Sequence, residues 1–341
     1  MTQVPAFAVI SGAQVHEAVG GREAEVTRMV EAAYRLHGEG LTVNPDSYFL
    51  RFPDRPSDRI IALPASVKGD VGVHGIKWIS SFPGNVANGI PRASAVLILN
   101  DAETGYPFAC LESSIISAAR TAASAALAAA TLADARGSRP RRVGFIGVGL
   151  IARYIHTYLA GNGFTFDELG VHDLSREHAE GFQGYLERSE KGEVTIHESA
   201  ESLIRSSDLI VFATVAGEPH VHDPAWFEHN PLVLHVSLRD LSPEIILSSY
   251  NVVDDVEHCM KAGTSPHLAE QKVGNRDFVA GTLYDVLMEK TAPPAGKPVV
   301  FSPFGLGVLD LAVAKYVYDQ VSSSGALHTV PDFFHELKRY G

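Results

Sequence analysis

Val143-Gly144-Phe145-Ile146-Gly147-Val148-Gly149-Leu150-Ile151-Ala152 decides how this chain folds. An apolar strand over 143–146 runs into G-x-G-x-x-A, and a helix over 150–161 follows. In that order each small residue has a physical task. Gly147 permits the tight turn, Gly149 lets a pyrophosphate approach the backbone, and Ala152 lets helix and strand pack closely. Leu150 and Ile151 open the helix, whose free N–H groups and partial positive charge suit phosphates. The next strand, Leu169-Gly170-Val171-His172, ends at Asp173, 26 residues after Gly147. An acid there accepts hydrogen bonds from an adenosine ribose and repels a 2′-phosphate, so the pattern predicts NAD rather than NADP. Arg176 argues the other way, because a basic residue at that position can accept the phosphate.

Downstream of this motif, strand and helix alternate. Strands are predicted over 168–172, 194–197, 209–214, 232–236 and 251–253, with helices over 176–189 and 201–206. Such alternation implies a parallel sheet covered on both faces. Upstream, a helix over 21–38 precedes strand-like runs at 47–52, 59–64, 71–80, 92–100 and 107–111. Turn signals such as Pro83-Gly84-Asn85 and Thr104-Gly105 point to an antiparallel or mixed sheet. The polar run Ala135-Arg136-Gly137-Ser138-Arg139-Pro140-Arg141-Arg142 marks the seam. The fold class expected is α/β, with a dinucleotide-binding domain on a parallel sheet after an antiparallel or mixed sheet. A periodic helix over 307–321 is placed to pack back on the first domain.

The chain's 341 residues suit roughly two domains. With 28 Lys and Arg against 40 Asp and Glu, a net charge of −12 offers no basic face for nucleic acid. Two cysteines cannot form a disulfide framework and fit a reducing compartment. The opening residues lack a basic n-region and an apolar h-region, so no signal peptide is expected and the location read is the cytoplasm. The stretch SSIISAARTAASAALAAATLA is long enough for a membrane span, but it is mostly Ala and carries Arg120 inside it. No membrane association is expected.

Arg120 is the one charged residue from Ser113 to Ala133, and no acid lies three or four residues away. It needs a partner from elsewhere: a substrate carboxylate or an inter-helix salt bridge. Lys77 shares its strand face with Val71, Val73, Gly75 and Ile79, which suits either a desolvated base or a snorkelling lysine. Arg51 poses the same choice. Asp240 follows an apolar strand in Ser237-Leu238-Arg239-Asp240-Leu241, at the carboxyl end where such sheets bind ligands. It could orient water, hold an ammonium group or cap a turn. His220 and His222 form H-x-H without a third ligand, so no metal is expected. Cys110 reads as a small core residue.

Taken together, these residues resemble the ornithine cyclodeaminase/mu-crystallin family. The carriers are Lys77 in its strand, Gly89-Ile90-Pro91, Thr104-Gly105-Tyr106-Pro107, Arg120-Thr121-Ala122-Ala123, the Gly147 motif, Asp240 and Gly305-Leu306-Gly307-Val308-Leu309-Asp310-Leu311-Ala312. Further stretches, Asn44-Pro45-Asp46-Ser47-Tyr48-Phe49-Leu50-Arg51-Phe52, Lys77-Trp78-Ile79-Ser80-Ser81-Phe82-Pro83-Gly84-Asn85 and Pro91-Arg92-Ala93-Ser94, look like the branch that makes 2,3-diaminopropionate for siderophores and peptide antibiotics. Ser237-Leu238-Arg239-Asp240-Leu241 belongs with them, and it departs from the glycine-rich run of the cyclodeaminases.

The resemblance implies NAD-dependent oxidative hydrolysis of N-(2-amino-2-carboxyethyl)-L-glutamate to 2-oxoglutarate and L-2,3-diaminopropionate. It implies substrate contacts from Arg51, Lys77, Arg92 and Arg120, with Lys77 and Asp240 catalytic. Cofactor contacts would come from Thr121, Gly147, Gly149, Leu150, Ile151, Asp173 and Thr214. It further implies a Rossmann NAD-binding domain over 131–310 and an α+β substrate and dimerisation domain over 1–130, completed by 311–341. With these come a homodimer, a small anionic amino-acid substrate, and a partner synthase acting on O-phosphoserine and glutamate. The rival readings are a cyclodeaminase, ketimine reductase or alanine dehydrogenase, or a non-catalytic nucleotide-binding crystallin.

Overall fold

The computed structural model of the chain describes residues 6–189, 191–335 and 337. It divides into two compact units, Met1–Arg120 with Leu306–Gly341, and Thr121–Gly305. The first unit begins with β1 (Phe7–Ile10), α1 (Gly12–Val19) and α2 (Glu23–Gly38). Ser11 and Gln14 cap α1 reciprocally, each side chain reaching the other's backbone end. Then come β2 (Thr42–Val43), β3 (Tyr48–Phe52), β4 (Arg55–Val67), β5 (Val73–Ser81), β6 (Ala93–Asp101) and β7 (Pro107–Glu112). Helix α3 (Ser114–Arg136) follows, and the division between the units falls inside it.

The second unit holds β8 (Arg142–Ile146), α4 (Leu150–Gly161), β9 (Glu168–His172), α5 (Arg176–Ser189) and β10 (Glu193–Ile196). It continues with α6 (Ala200–Ser206), β11 (Leu209–Phe212), β12 (Leu232–His235), α7 (Pro243–Ser248) and β13 (Tyr250–Val253). After α8 (Val256–Cys259), α9 (Ser265–Val273), β14 (Val279–Thr282) and α10 (Leu283–Leu287), β15 (Val299–Ser302) ends the unit. The chain returns to the first unit with α11 (Gly307–Ser323) and β16 (His328–Val330).

In the second unit the strand order is β10-β9-β8-β11-β12-β15-β13-β14, and every pairing is parallel. The order reverses between β8 and β11, which is where an open α/β sheet leaves a crevice at its carboxyl edge. One apolar cluster under this sheet unites Ile146, Phe212, Val233, Ile245 and Val300. This is the Rossmann arrangement that the Gly147 motif foretold.

In the first unit the order is β16-β1-β7-β6-β5-β4-β2, with β3 also paired to β4. Strand β1 runs parallel to β7 and the other pairs are antiparallel. Strand alternation sends Val73, Lys77, Leu97, Leu99 and Leu111 to one buried face, against which α11 lies. Gly75 makes that close packing possible: a Cβ there would sit 2.3 Å from the Ile98 carbonyl oxygen and 2.8 Å from the Leu311 side chain. The opposite face is apolar yet open, with Tyr48, Leu50, Trp78 and Val96 exposed.

The structure moves the expected boundaries. The units part at 120/121 and 305/306 rather than at 130/131 and 310/311. The first turns of α3 are tied to the first unit by Ser117 and Arg120, and its end to the second by Arg136 on the Asn230 carbonyl. Residues 1–5, 336 and 338–341, assigned to the first domain, lie outside the described residues. Pro83–Asn88 is a 3-10 helix rather than a simple turn, and Cys110 is half-buried on the open face rather than in the core. Helix α3 is long and apolar enough for a membrane by composition, yet 67 % of its apolar window is buried inside the protein.

Candidate active site

The second unit carries a dinucleotide cradle. Gly147 takes φ +78, and a Cβ on it would meet the Ala213 carbonyl oxygen at 2.8 Å and Thr214 Cα at 2.9 Å. The loops after β8 and β11 therefore close on each other only because this residue is glycine. A Cβ on Gly149 would meet no protein atom within 4 Å, so the space beside it is open to a ligand. Gly149 caps α4 without any side-chain hydrogen bond, leaving the first helical N–H groups unclaimed by a cap. Leu150 is exposed and Ile151 half-buried in that first turn, while Ala152 is buried.

Asp173, just past β9, accepts hydrogen bonds from the Val148 amide at 3.1 Å and the Ser175 amide at 2.8 Å. It thus ties the glycine loop to the end of the second strand and holds an acid beside the cradle. Arg176 is turned to Glu180 at 2.8 Å and Glu198 at 3.5 Å. Leu150 and two large apolar residues missed in the sequence, Leu174 and Val215, stand exposed after the neighbouring strands β8, β9 and β11. Exposed apolar groups at a carboxyl edge suit the flat faces of a base. The cradle therefore fits a dinucleotide on its own geometry.

Past β12 in the same unit, Asp240 has no exposed surface. Its Oδ1 accepts from Thr214 Oγ1 and lies 3.1 Å from His220 Nε2, and its Oδ2 accepts from Ser237 Oγ. His235 Nε2 lies 3.2 Å from Oδ2 and equally far from the Asp240 amide nitrogen, while its Nδ1 meets Ser302 Oγ at 3.2 Å. Burial opposes ionisation of Asp240, but donors from His220, His235 and Ser237 overcome it and hold the carboxyl well below the usual range. The preceding turn is strained, since Leu238 takes φ +70. Thr214 gives its hydroxyl to Asp240, not to the open cradle, which alters the cofactor contact expected of it.

The first unit gathers cations. Lys77 Nζ donates to Asp310 Oδ2 at 2.7 Å and to Ser117 Oγ at 3.2 Å. Arg120 Nε donates to Asp310 Oδ1 at 3.2 Å. Lys77 and Asp310 are buried, and Arg120 keeps 12 % of its side chain exposed. Burial pushes the Lys77 ammonium down to about 8, with Arg120 adding to the effect and Asp310 opposing it. Two cations share one carboxylate, so the cluster keeps one positive charge to spare. Among the described residues the two terminal nitrogens of Arg120 have no partner, which leaves its fork open to a second carboxylate. The isolation of Arg120 thus resolves as an inter-helix salt bridge that engages only one edge of the guanidinium.

Arg92 donates to Ser81 Oγ at 3.1 Å, and Ser81 sits on the Lys77 face of β5. Arg51 is exposed and opposite Arg59 in the β3–β4 register, with Arg59 opposite Ser81. Alternation places Arg51, Arg59 and Ser81 on the sheet face that carries Lys77, and the bond to Ser81 brings Arg92 to the same face. Arg59 escaped the sequence reading, and Asp310 was quoted only inside the family motif with no site role, because both roles depend on pairing with residues far along the chain. Thr121, half-buried on α3, is the first residue of the second unit. His222 is exposed, and no group of three or more His, Cys, Asp or Glu side chains that could hold a metal occurs among the described residues.

A glycine cradle with its acid, joined in one chain to a unit of buried cations, defines a two-domain dinucleotide-dependent oxidoreductase. The chain belongs to the ornithine cyclodeaminase/mu-crystallin family, whose profile matches residues 10–325. It is 29 % identical to the alanine dehydrogenase of Archaeoglobus fulgidus, covering 88 % of this chain and 91 % of that protein. It is 28 % identical to the N-((2S)-2-amino-2-carboxyethyl)-L-glutamate dehydrogenase of Staphylococcus aureus, covering 89 % and 92 %. An archaeal alanine dehydrogenase dimer with bound NAD superposes with a TM-score of 0.85 at 27 % identity, covering 96 % of this chain and 99 % of that one.

Proposed function

We propose that this protein is an NAD-dependent dehydrogenase that oxidatively hydrolyses N-(2-amino-2-carboxyethyl)-L-glutamate to 2-oxoglutarate and L-2,3-diaminopropionate. The observation that carries this reading is the surplus of cations on one sheet face. Lys77 and Arg120 around Asp310 suffice for one α-carboxylate, and alanine offers only one. Arg51 and Arg92 on the same face would be superfluous for alanine but match a substrate with three carboxylates. The likeness to the S. aureus dehydrogenase supports the same choice.

Each unit supplies a separate part of the chemistry. Gly147, Gly149, the start of α4 and Asp173 would hold NAD, which when bound accepts a hydride. With Asp173 at the ribose position and Arg176 occupied by two glutamates, the cradle favours NAD over its 2′-phosphorylated form. Arg120 and Lys77 grip the glutamyl α-carboxylate and so fix the α-carbon whose hydrogen leaves. Loss of that hydride from the neutral amine leaves a substrate iminium, which water converts to a keto acid and an ammonium group. The product then serves siderophore or peptide antibiotic assembly, and a synthase using O-phosphoserine and glutamate supplies the substrate. The open apolar face carrying Tyr48, Leu50, Trp78 and Val96 supports a homodimer joined through the first unit.

The test is NADH formation from N-(2-amino-2-carboxyethyl)-L-glutamate with mass detection of diaminopropionate. Turnover with this amine and none with alanine, ornithine or lysine is the expected result. NADH from alanine, or ammonia from ornithine or lysine, would assign the protein to one of its relatives' reactions instead.

A further inference from the structure

His220 was set aside in the sequence as half of a metal-poor H-x-H, yet the structure builds it into the Asp240 cluster. The 220–222 segment runs beside 240–242, with a parallel bridge between Val221 and Leu241. The amides of His220 and Val221 both donate to the Asp240 carbonyl, at 3.0 and 2.9 Å, so the imidazole is fixed from its own backbone. Its Nε2 meets the Asp240 carboxylate at 3.1 Å, while 41 % of the side chain is exposed and Nδ1 has no partner among the described residues. Asp240 itself is sealed: it has no surface, and every group around its carboxylate is a potential donor.

We propose that His220, oriented by Asp240, is the group that moves protons during imine hydrolysis, and that Asp240 is a positioning residue. A buried anion on Nε2 fixes the tautomer with its proton on that nitrogen and leaves the Nδ1 lone pair facing outward. This rests on the reaction proposed above. Water oxygen bonds to the iminium carbon while one water proton passes to His220 Nδ1, giving a neutral carbinolamine. His220 returns that proton to the nitrogen, and the C–N bonding pair leaves with the nitrogen. The hydroxyl proton ends on the released amine, so iminium plus water becomes ketone plus ammonium with atoms and charge in balance.

Two measurements test the assignment. His220→Gln keeps an amide N–H that can reach Asp240 but cannot take a proton. The first turnover of NADH should persist, with steady-state kcat down by about 10²-fold or more. In His220→Gly, added imidazole should restore part of that rate. Wild-type kcat in His220→Gln would overturn the proposal, while absence of NADH even in the unaltered protein would overturn the assigned substrate instead. Independently of any substrate, ¹⁵N NMR of the neutral protein should show His220 protonated on Nε2. A proton on Nδ1 would remove the proposed acceptor and sink the idea whatever the enzyme oxidises.

Discussion

At the scale of single residues, the cluster around Asp310 sets the behaviour of the first unit. Lys77 carries its charge below about pH 8 and loses it above, because burial has lowered it from the ordinary lysine value. A carboxylate substrate should therefore show KM rising as pH is taken upward through about 8. Lys77→Arg, charged throughout, should flatten that rise; a KM in the unaltered protein that stays level from pH 7 to 9 would remove Lys77 from carboxylate binding. Asp310→Asn would leave two buried cations without a counter-charge, a loss of about 3–5 kcal/mol read as a lower denaturation midpoint. The sequence exposed Arg120 because nothing local could pair with it. It hid Asp310, an acid on a helix whose neighbours gave no hint of which face it served. Asp240 was legible as a residue at a strand's carboxyl end, but its sealing by Thr214, His220, His235 and Ser237 depends on residues 3 to 26 positions away.

At the scale of elements, the strand–turn–helix at Gly147 was readable because its requirements are local: backbone sign, approach and packing all lie within ten residues. It also yields a paired prediction. Gly147→Ala forces a Cβ against the Ala213 carbonyl oxygen at 2.8 Å with φ +78, so both thermal stability and NAD binding should fall. Gly149→Ala meets no protein atom, so stability should hold while NAD affinity, read by fluorescence titration, drops. Equal NAD affinity in Gly149→Ala and the unaltered protein would show that the space beside Gly149 is not where the pyrophosphate lies. The elements the sequence missed are short or lack periodicity. Strands β1 and β16 have four and three residues and find their register only in each other and in β7.

At the scale of the whole molecule, the sequence places a seam at residues 135–142, and the two compact units part at 120/121 and 305/306. A polar run of eight residues signals a loop, whereas the real division cuts through α3, a continuous helix that gives the sequence no break to read. The open sheet face makes a prediction at this level too. In the homodimer proposed above, Trp78→Glu should shift dimer to monomer in analytical ultracentrifugation, because a carboxylate at the middle of that face cannot be desolvated without a partner. A dimer of unchanged affinity would place the contact elsewhere.

The return of α11 to the first unit has a consequence for synthesis. Asp310 follows Lys77 by 233 positions, so a ribosome working at roughly 5–20 residues per second exposes the lysine about 10–50 s before its counter-ion exists. Throughout that interval the β4–β7 sheet lacks the helix that covers its inner face. The Rossmann unit, contiguous from Thr121 to Gly305, has all its strands before α11 is made. The later half of this chain is thus free to fold first, and the earlier half must wait for the last helix to be translated.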